Sequence, residues 1–201
     1  MLNISGWRAM STVEGPGRRS VLWVQGCMKR CPGCCNPLML KIRPRRIESS
    51  DTVISWLART KREEQIEGVT FLGGEPMLQA QGLAVVAEWC QDNGLSVMVF
   101  TGYSWAELQE QRLAGMVRLL GATDVLVSGP FIENQAERQR NWVGSTNQRF
   151  HYLSDRYGPD IETSKEGAPG VELIVRQEKV EVNGYPLLQF KRLSRGVSEN
   201  Q

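Results

Sequence analysis

The sequence contains no run of apolar residues approaching the ~20 needed to span a bilayer, so no membrane-spanning helix is expected. Its first residues, Met-Leu-Asn-Ile-Ser-Gly-Trp-Arg, lack the apolar centre of a secretory signal. The expectation is therefore a soluble, cytoplasmic protein, in which disulfides are out of place. Histidine is nearly absent: His151 is the only one in 201 residues. It lies far from the cysteines and completes no zinc pattern. A dominant charge is missing too. The balance of 24 Lys and Arg against 22 Asp and Glu leaves +2, which gives no ground for a nucleic-acid partner. There is no internal repeat and no low-complexity tract.

What is present is concentrated early in the chain. Cys27, Cys31 and Cys34 stand in the run Gly-Cys-Met-Lys-Arg-Cys-Pro-Gly-Cys, and Cys35 follows directly. Zinc sites of structural type use two short cysteine pairs separated by a longer stretch, and no second pair exists here. A CxxxCxxC knuckle supplies three thiolates, one fewer than the four that close a four-iron cube. The spacing favours an iron–sulfur cluster with one iron left open to a chelating small molecule, with zinc as the competing reading. Just beyond lie Lys41, Arg43, Arg45 and Arg46. These read as a solvated loop or, more sharply, as a docking patch for an acidic partner or a phosphate-bearing substrate.

A hydrophobic content of 41% over 201 residues suits one domain with an appendage. Short apolar strands are expected at Val21 to Gln25, Gly68 to Leu72, Leu95 to Phe100 and Asp124 to Val127. Helices are expected from a cap at Ser49, Ser50 or Asp51, over Leu78 to Asn93 with Cys90 on its apolar face, and over Trp105 to Leu120. Alternating strands and helices imply a parallel sheet with crossover helices. The chain is too short for a full eightfold barrel of ~250 residues, so a partial, open β/α barrel is the expected α/β fold. The distinctive loops all follow strands, where α/β folds gather their functional groups. Residues 1–154 form the expected core domain. Residues 155–201 read as a linker from Asp155 to Gly170, a β-hairpin of Val171 to Val175 with Val180 to Val182, and a frayed tail.

Together these residues resemble the radical S-adenosylmethionine (SAM) enzymes, and among them the activating enzymes of anaerobic ribonucleotide reductase. The resemblance runs through Glu14-Gly15-Pro16-Gly17-Arg18, Val24 to Cys34, Asn36-Pro37, Phe71-Leu72-Gly73-Gly74-Glu75-Pro76 and Phe100-Thr101-Gly102-Tyr103. It continues through Asp124 to Val127, Gly129-Pro130-Phe131-Ile132 and Gly144-Ser145 with Asn147-Gln148-Arg149. It implies a [4Fe–4S] cluster on Cys27, Cys31 and Cys34, with SAM chelating the open iron. Gly73, Gly74, Glu75, Pro76, Thr101, Gly102, Ser128 and Asn36 would contact SAM, with Glu75 facing its amino group. One electron passed into the sulfonium would release a 5′-deoxyadenosyl radical that takes hydrogen from a glycyl-radical protein or peptide. A flavodoxin or ferredoxin would be the electron donor; the alternative substrate is another peptide or a small metabolite. Three positions depart from the relatives' usual residues: Cys35 replaces an aromatic, Ser128 an Asp, and Val143 an Arg.

Overall fold

A computed structural model describes residues 1–165, 170–176 and 179–184. Its centre is a mixed sheet of seven strands. In chain order these are β1 (Leu2–Ser11), β2 (Arg19–Val24), β3 (Arg46–Glu48), β4 (Gly68–Gly73), β5 (Ser96–Thr101), β6 (Val125–Ser128) and β7 (Arg149–Tyr152). Their spatial order is β3-β1-β2-β4-β5-β6-β7. The inner pairs β2–β4, β4–β5 and β5–β6 are parallel. The flanking pairs β1–β2, β1–β3 and β6–β7 are antiparallel.

The parallel strands are nearly continuous apolar runs because both faces are covered, as buried parallel sheets require. Leu22, Val24, Val69, Phe71, Val97, Val99 and Leu126 pack with the helices α1 (Ser50–Glu64), α2 (Ala80–Asp92) and α4 (Ala114–Gly121). Met98, Phe100, Val125 and Val127 belong to a second cluster on the opposite face, with Val143, Phe150, Tyr157 and Ile161. Ser49 caps α1 by accepting from the Thr52 amide at 3.0 Å. Pro76–Gln79 forms a single 3-10 turn ahead of α2. None of the described helices is long and apolar enough to cross a membrane.

The four strands expected from the sequence are the parallel ones. The expected helix over Trp105 to Leu120 is instead two: α3 (Trp105–Gln111) and α4, separated at Arg112, whose φ of 36° is left-handed and ends the first. The stretch after Asp155 is not a free linker as far as Ser164. Ile161 is buried, and Asn141 Nδ2 donates to the carbonyls of Ile161 at 2.9 Å and Ser164 at 3.0 Å. Gly158 and Pro159, part of the composition that suggested a linker, serve the 3-10 turn Pro159–Glu162.

Tyr157 explains why that segment is held. Arg19 is fully buried at the base of the sheet, on the face away from the helices. Burying a guanidinium is tolerated only when its donors are satisfied. Arg19 Nε donates to Thr70 Oγ1 at 2.8 Å, Nη2 to the Val69 carbonyl at 2.8 Å, and Nη1 to Ser96 Oγ at 2.8 Å. The Tyr157 hydroxyl closes the ring, 2.8 Å from Ser96 Oγ and 3.4 Å from Nη1. Thr70 in turn donates to the Glu14 carbonyl at 2.7 Å, tying the Glu14 to Gly17 loop to this plug.

A separate antiparallel pair, β8 (Val171–Arg176) and β9 (Lys179–Gly184), lies against the end of β1. Glu172 accepts from the Thr12 amide at 2.8 Å and pairs with Arg8 at 3.1 Å, and Asn183 Nδ2 donates to Ser11 Oγ at 3.2 Å. The expected frayed tail, Ser194 to Gln201, lies outside the described residues.

Candidate cluster and cofactor site

Four loops meet at the C-terminal ends of the parallel strands. The first follows β2 and carries the cysteines. Cys27 is buried, Cys31 and Cys34 are half-buried, Cys35 is exposed, and all are free thiols. The Cys27 amide donates to the Leu40 carbonyl at 3.1 Å and the Gly26 amide to Met39 at 2.8 Å, so the returning chain pins the start of the loop. Burial pushes the Cys27 thiol up. The adjacent thiols of Cys34 and Cys35 share a hydrogen bond. It holds Cys34 down at about 6 and drives Cys35 upward, so Cys34 is the one disposed to be a thiolate. Asn36 contributes its amide, which donates to Cys34 Sγ at 3.4 Å.

The second loop follows β4. Gly73 has φ of 112°, a conformation that glycine adopts without strain. Gly74 has no room for a side chain: an added Cβ would stand 2.4 Å from the Gly26 carbonyl oxygen. The Gly74 amide donates to Val24 at 2.8 Å and the Glu75 amide to Gly26 at 2.9 Å. The cysteine loop and the glycine loop are thus joined backbone to backbone.

Glu75 is the polar centre of the site and is 1% exposed. Its Oε1 accepts from the Met77 amide at 2.9 Å and from Thr101 Oγ1 at 2.7 Å; Oε2 accepts from the Gly102 amide at 2.7 Å. A carboxylate has about four lone-pair sites, so one remains on Oε2. Burial raises its pKa to about 6 against the pull of these three donors. Pro76 opens the 3-10 turn that Glu75 caps. Thr101 and Gly102, from the loop after β5, are therefore engaged with Glu75.

Lys29, between the first two cysteines, crosses to the same loop. Its ammonium lies 2.6 Å from Glu107 Oε1 and 4.4 Å from the Tyr103 ring centroid. Glu107 completes a capping box with Ser104 at the start of α3. A Cβ on Gly102 would meet Lys29 Cγ at 3.0 Å, so that glycine admits the lysine stem.

The fourth loop follows β6. Ser128 Oγ lies 2.8 Å from His151 Nε2, and His151 stacks on Trp105 with centroids 4.5 Å apart. Ser128 falls on the same strand face as Leu126, the helix side, so its hydroxyl serves the β6–β7–α3 packing. Nearby Asn147 Nδ2 donates to the Pro130 carbonyl at 2.8 Å, while its buried Oδ1 has no partner. Sequence reasoning passed over Lys29 and Asn147 as site residues. It also missed Trp23, Leu72 and Phe100, half-buried at the upper end of the face opposite the helices. Only strand alternation, referred to Met98 and Phe100, identifies that face.

Among the described residues no three or more His, Cys, Asp or Glu side chains converge as ligands of a single metal ion. A cavity of about 430 Å³ is lined by residues between Tyr152 and Ile161, none of them a cysteine.

Comparison with known proteins gives a consistent picture. The description "4Fe-4S single cluster domain" matches residues 13–151. The anaerobic ribonucleoside-triphosphate reductase-activating protein of Vibrio cholerae is 34% identical over 159 residues, covering 75% of this chain and 97% of that protein. The protein of that name from Escherichia coli K12 is 30% identical over 160 residues, covering 76% and 99%. That of Enterobacteria phage T4 is 28% identical, covering 71% and 89%. A crystal structure of QueE from Escherichia coli aligns with 52% of this chain and 51% of that one at a TM-score of 0.36 and 18% identity, and adds nothing to the assignment.

Proposed function

The chain belongs to the radical SAM activating enzymes of the anaerobic ribonucleoside-triphosphate reductase type, with a [4Fe–4S] cluster and SAM as cofactors, and on that footing we propose that Cys27, Cys31 and Cys34 ligate the cluster and that the hydrogen donor is a backbone glycine of a partner reductase. When bound, the cofactors would supply a 5′-deoxyadenosyl radical by reductive cleavage of SAM; the protein's part would be to bind, orient and exclude water. A low-potential carrier such as flavodoxin or ferredoxin provides the electron.

The residues fit these groups in three respects. The donor set is three free thiols on one loop, and a cube places each thiolate on its own iron rather than around one ion. Glu75 Oε2 retains one acceptor site, suited to an N–H of the SAM amino group. Asn147 Oδ1 is a buried acceptor without a donor, suited to a ribose hydroxyl or a base amino group. Gly73 and Gly74 seat their loop on the main chain of Val24 and Gly26, which leaves bare backbone for the methionyl portion to approach, and Pro76 opens the turn that Glu75 caps. Thr101 and Gly102 hold Glu75 and would border the ligand beside it. Asn36 tunes Cys34, and Ser128 contributes through the packing of β6. Trp23, Leu72 and Phe100 line the open side of a partial barrel, where a peptide loop can enter.

A second reading, hydrogen abstraction from another peptide or a small metabolite, draws on the C-terminal strand pair. That pair meets Thr12 and Ser11 at the end of β1 through Glu172 and Asn183, and its Gly184 backbone amide reaches Glu14. The observation that carries the first reading is the buried Glu75 clasp beside the cysteine loop. The test is anaerobic reconstitution, reduction and addition of SAM, followed by assay of 5′-deoxyadenosine and of a glycyl radical on the reductase. Stoichiometric zinc without sulfide in anoxic preparations would overturn the reading.

A further inference from the structure

We infer that the segment from Leu38 to Arg46 is the docking surface for an acidic one-electron carrier protein. The inference rests on the reading that the neighbouring cysteines hold the cluster. Residues 25–46 contain six of the chain's 24 Lys and Arg and none of its 22 Asp and Glu, so the remainder of a nearly neutral chain is net acidic. Two of the six are engaged: Lys29 with Glu107, and Arg46 with Glu48 at 2.6 Å. Arg30, Lys41, Arg43 and Arg45 are exposed and have no ion pair among the described residues.

Large apolar side chains stand among these charges. Leu38 is 76% exposed, Met28 66% and Ile42 64%. Solvent-exposed apolar residues interleaved along the chain with cations that have no ion pair among the described residues have the make-up of a transient protein interface: apolar side chains exclude water, and the charges steer an oppositely charged partner. The complementary partner is acidic.

Position separates an electron carrier from the hydrogen donor. The segment is bonded to the chain at the cysteines. Besides the Met39 and Leu40 carbonyls, the Lys41 carbonyl accepts from Gln25 Nε2 at 2.7 Å, and Ile42 lies over Gly26. From there it leads into β3, the outermost strand of the sheet, beyond β1. The hydrogen donor has to enter the face lined by Trp23, Leu72 and Phe100, whereas an electron needs only nearness to the cluster. In the transfer the carrier loses one electron and the cluster gains it; no atom or proton moves.

The test compares the full chain, loaded with cluster under anoxic conditions, with the triple variant Lys41→Glu/Arg43→Glu/Arg45→Glu and its neutral counterpart carrying Gln at the same positions. An acidic flavodoxin, labelled for fluorescence anisotropy, is the probe. Its affinity for the Glu variant should fall roughly tenfold or more at low salt, with the Gln variant intermediate and the salt dependence of binding flattened. SAM cleavage driven by dithionite should be unchanged, while cleavage driven by flavodoxin falls. Unchanged flavodoxin affinity in both variants overturns the inference. So does intact flavodoxin binding accompanied by failure of dithionite-driven reductase activation, which would make the surface a seat for the reductase. Wild-type protein that holds no iron and sulfide, yet binds flavodoxin by the same charges, would sustain the surface and sink the cluster assignment instead.

Discussion

Replacing Glu75 by Gln tests the energetics at the centre of the site. Burial raises the carboxyl from 4.5 to about 6 although three donors favour its charged form. Because the folded-state value lies above the unfolded one, the group's contribution to stability is fully present below about pH 4.5. It is lost as pH rises through 6. At ~1.36 kcal/mol per pH unit the loss amounts to about 2 kcal/mol. Glutamine cannot ionise, so its variant lacks this loss. It carries instead a pH-independent cost of about 1–3 kcal/mol, because its amide must face either the Gly102 amide or the Met77 and Thr101 donors. The stability of wild type minus that of Glu75→Gln should therefore shrink by about 2 kcal/mol between pH 4 and 7.5. Glu107 and Glu137, both held down at about 2, titrate equally in the two proteins and cancel in the difference. Urea unfolding of cluster-free protein, with matched slopes, measures it. A difference that is flat in pH, or that grows with pH, would refute the reasoning by showing that the three donors outweigh burial.

Other expectations follow from the same geometry. Cys34→Ser should lose bound iron and sulfide, whereas Cys35→Ser should retain both, as measured on reconstituted protein. SAM affinity should rise as pH increases through about 6, since Glu75 then offers a full charge to the N–H groups of the SAM amino group; equilibrium dialysis between pH 5 and 8 reads this. Gly74→Ala should cost about 1–3 kcal/mol and weaken SAM binding, because the new methyl group meets the Gly26 backbone. Tyr157→Phe should destabilise by about 1–3 kcal/mol in urea unfolding, as the Arg19 and Ser96 donors lose their shared hydroxyl.

The parts of the fold readable in the sequence are those whose signal is local. β2, β4, β5 and β6 are runs of Val, Leu and Phe bounded by Gly or Thr-Gly, and buried parallel strands have few other ways to look. β1 and β7 escaped notice because each mixes polar and apolar residues, and β3 is only three residues long. Ser49 was legible as a cap, but the interruption at Arg112 was not, since the flanking residues all tolerate helix. The site shows the same division. The cysteine spacing and Gly73-Gly74-Glu75-Pro76 are contiguous and could be found by eye. What Glu75 touches depends on Thr101 and Gly102, and what satisfies Arg19 depends on Thr70, Ser96 and Tyr157, up to 138 positions away. Such partnerships leave no trace in spacing.

The seam between Gly74 and Gly26 has a consequence for how this enzyme can vary. With main chain lying on main chain and no side chain between, the cysteine loop and the glycine loop share one set of coordinates. A displacement of either drags the other. Substitutions on opposite sides of that seam should show interaction energies rather than simple sums, so the pair drifts together under selection or not at all.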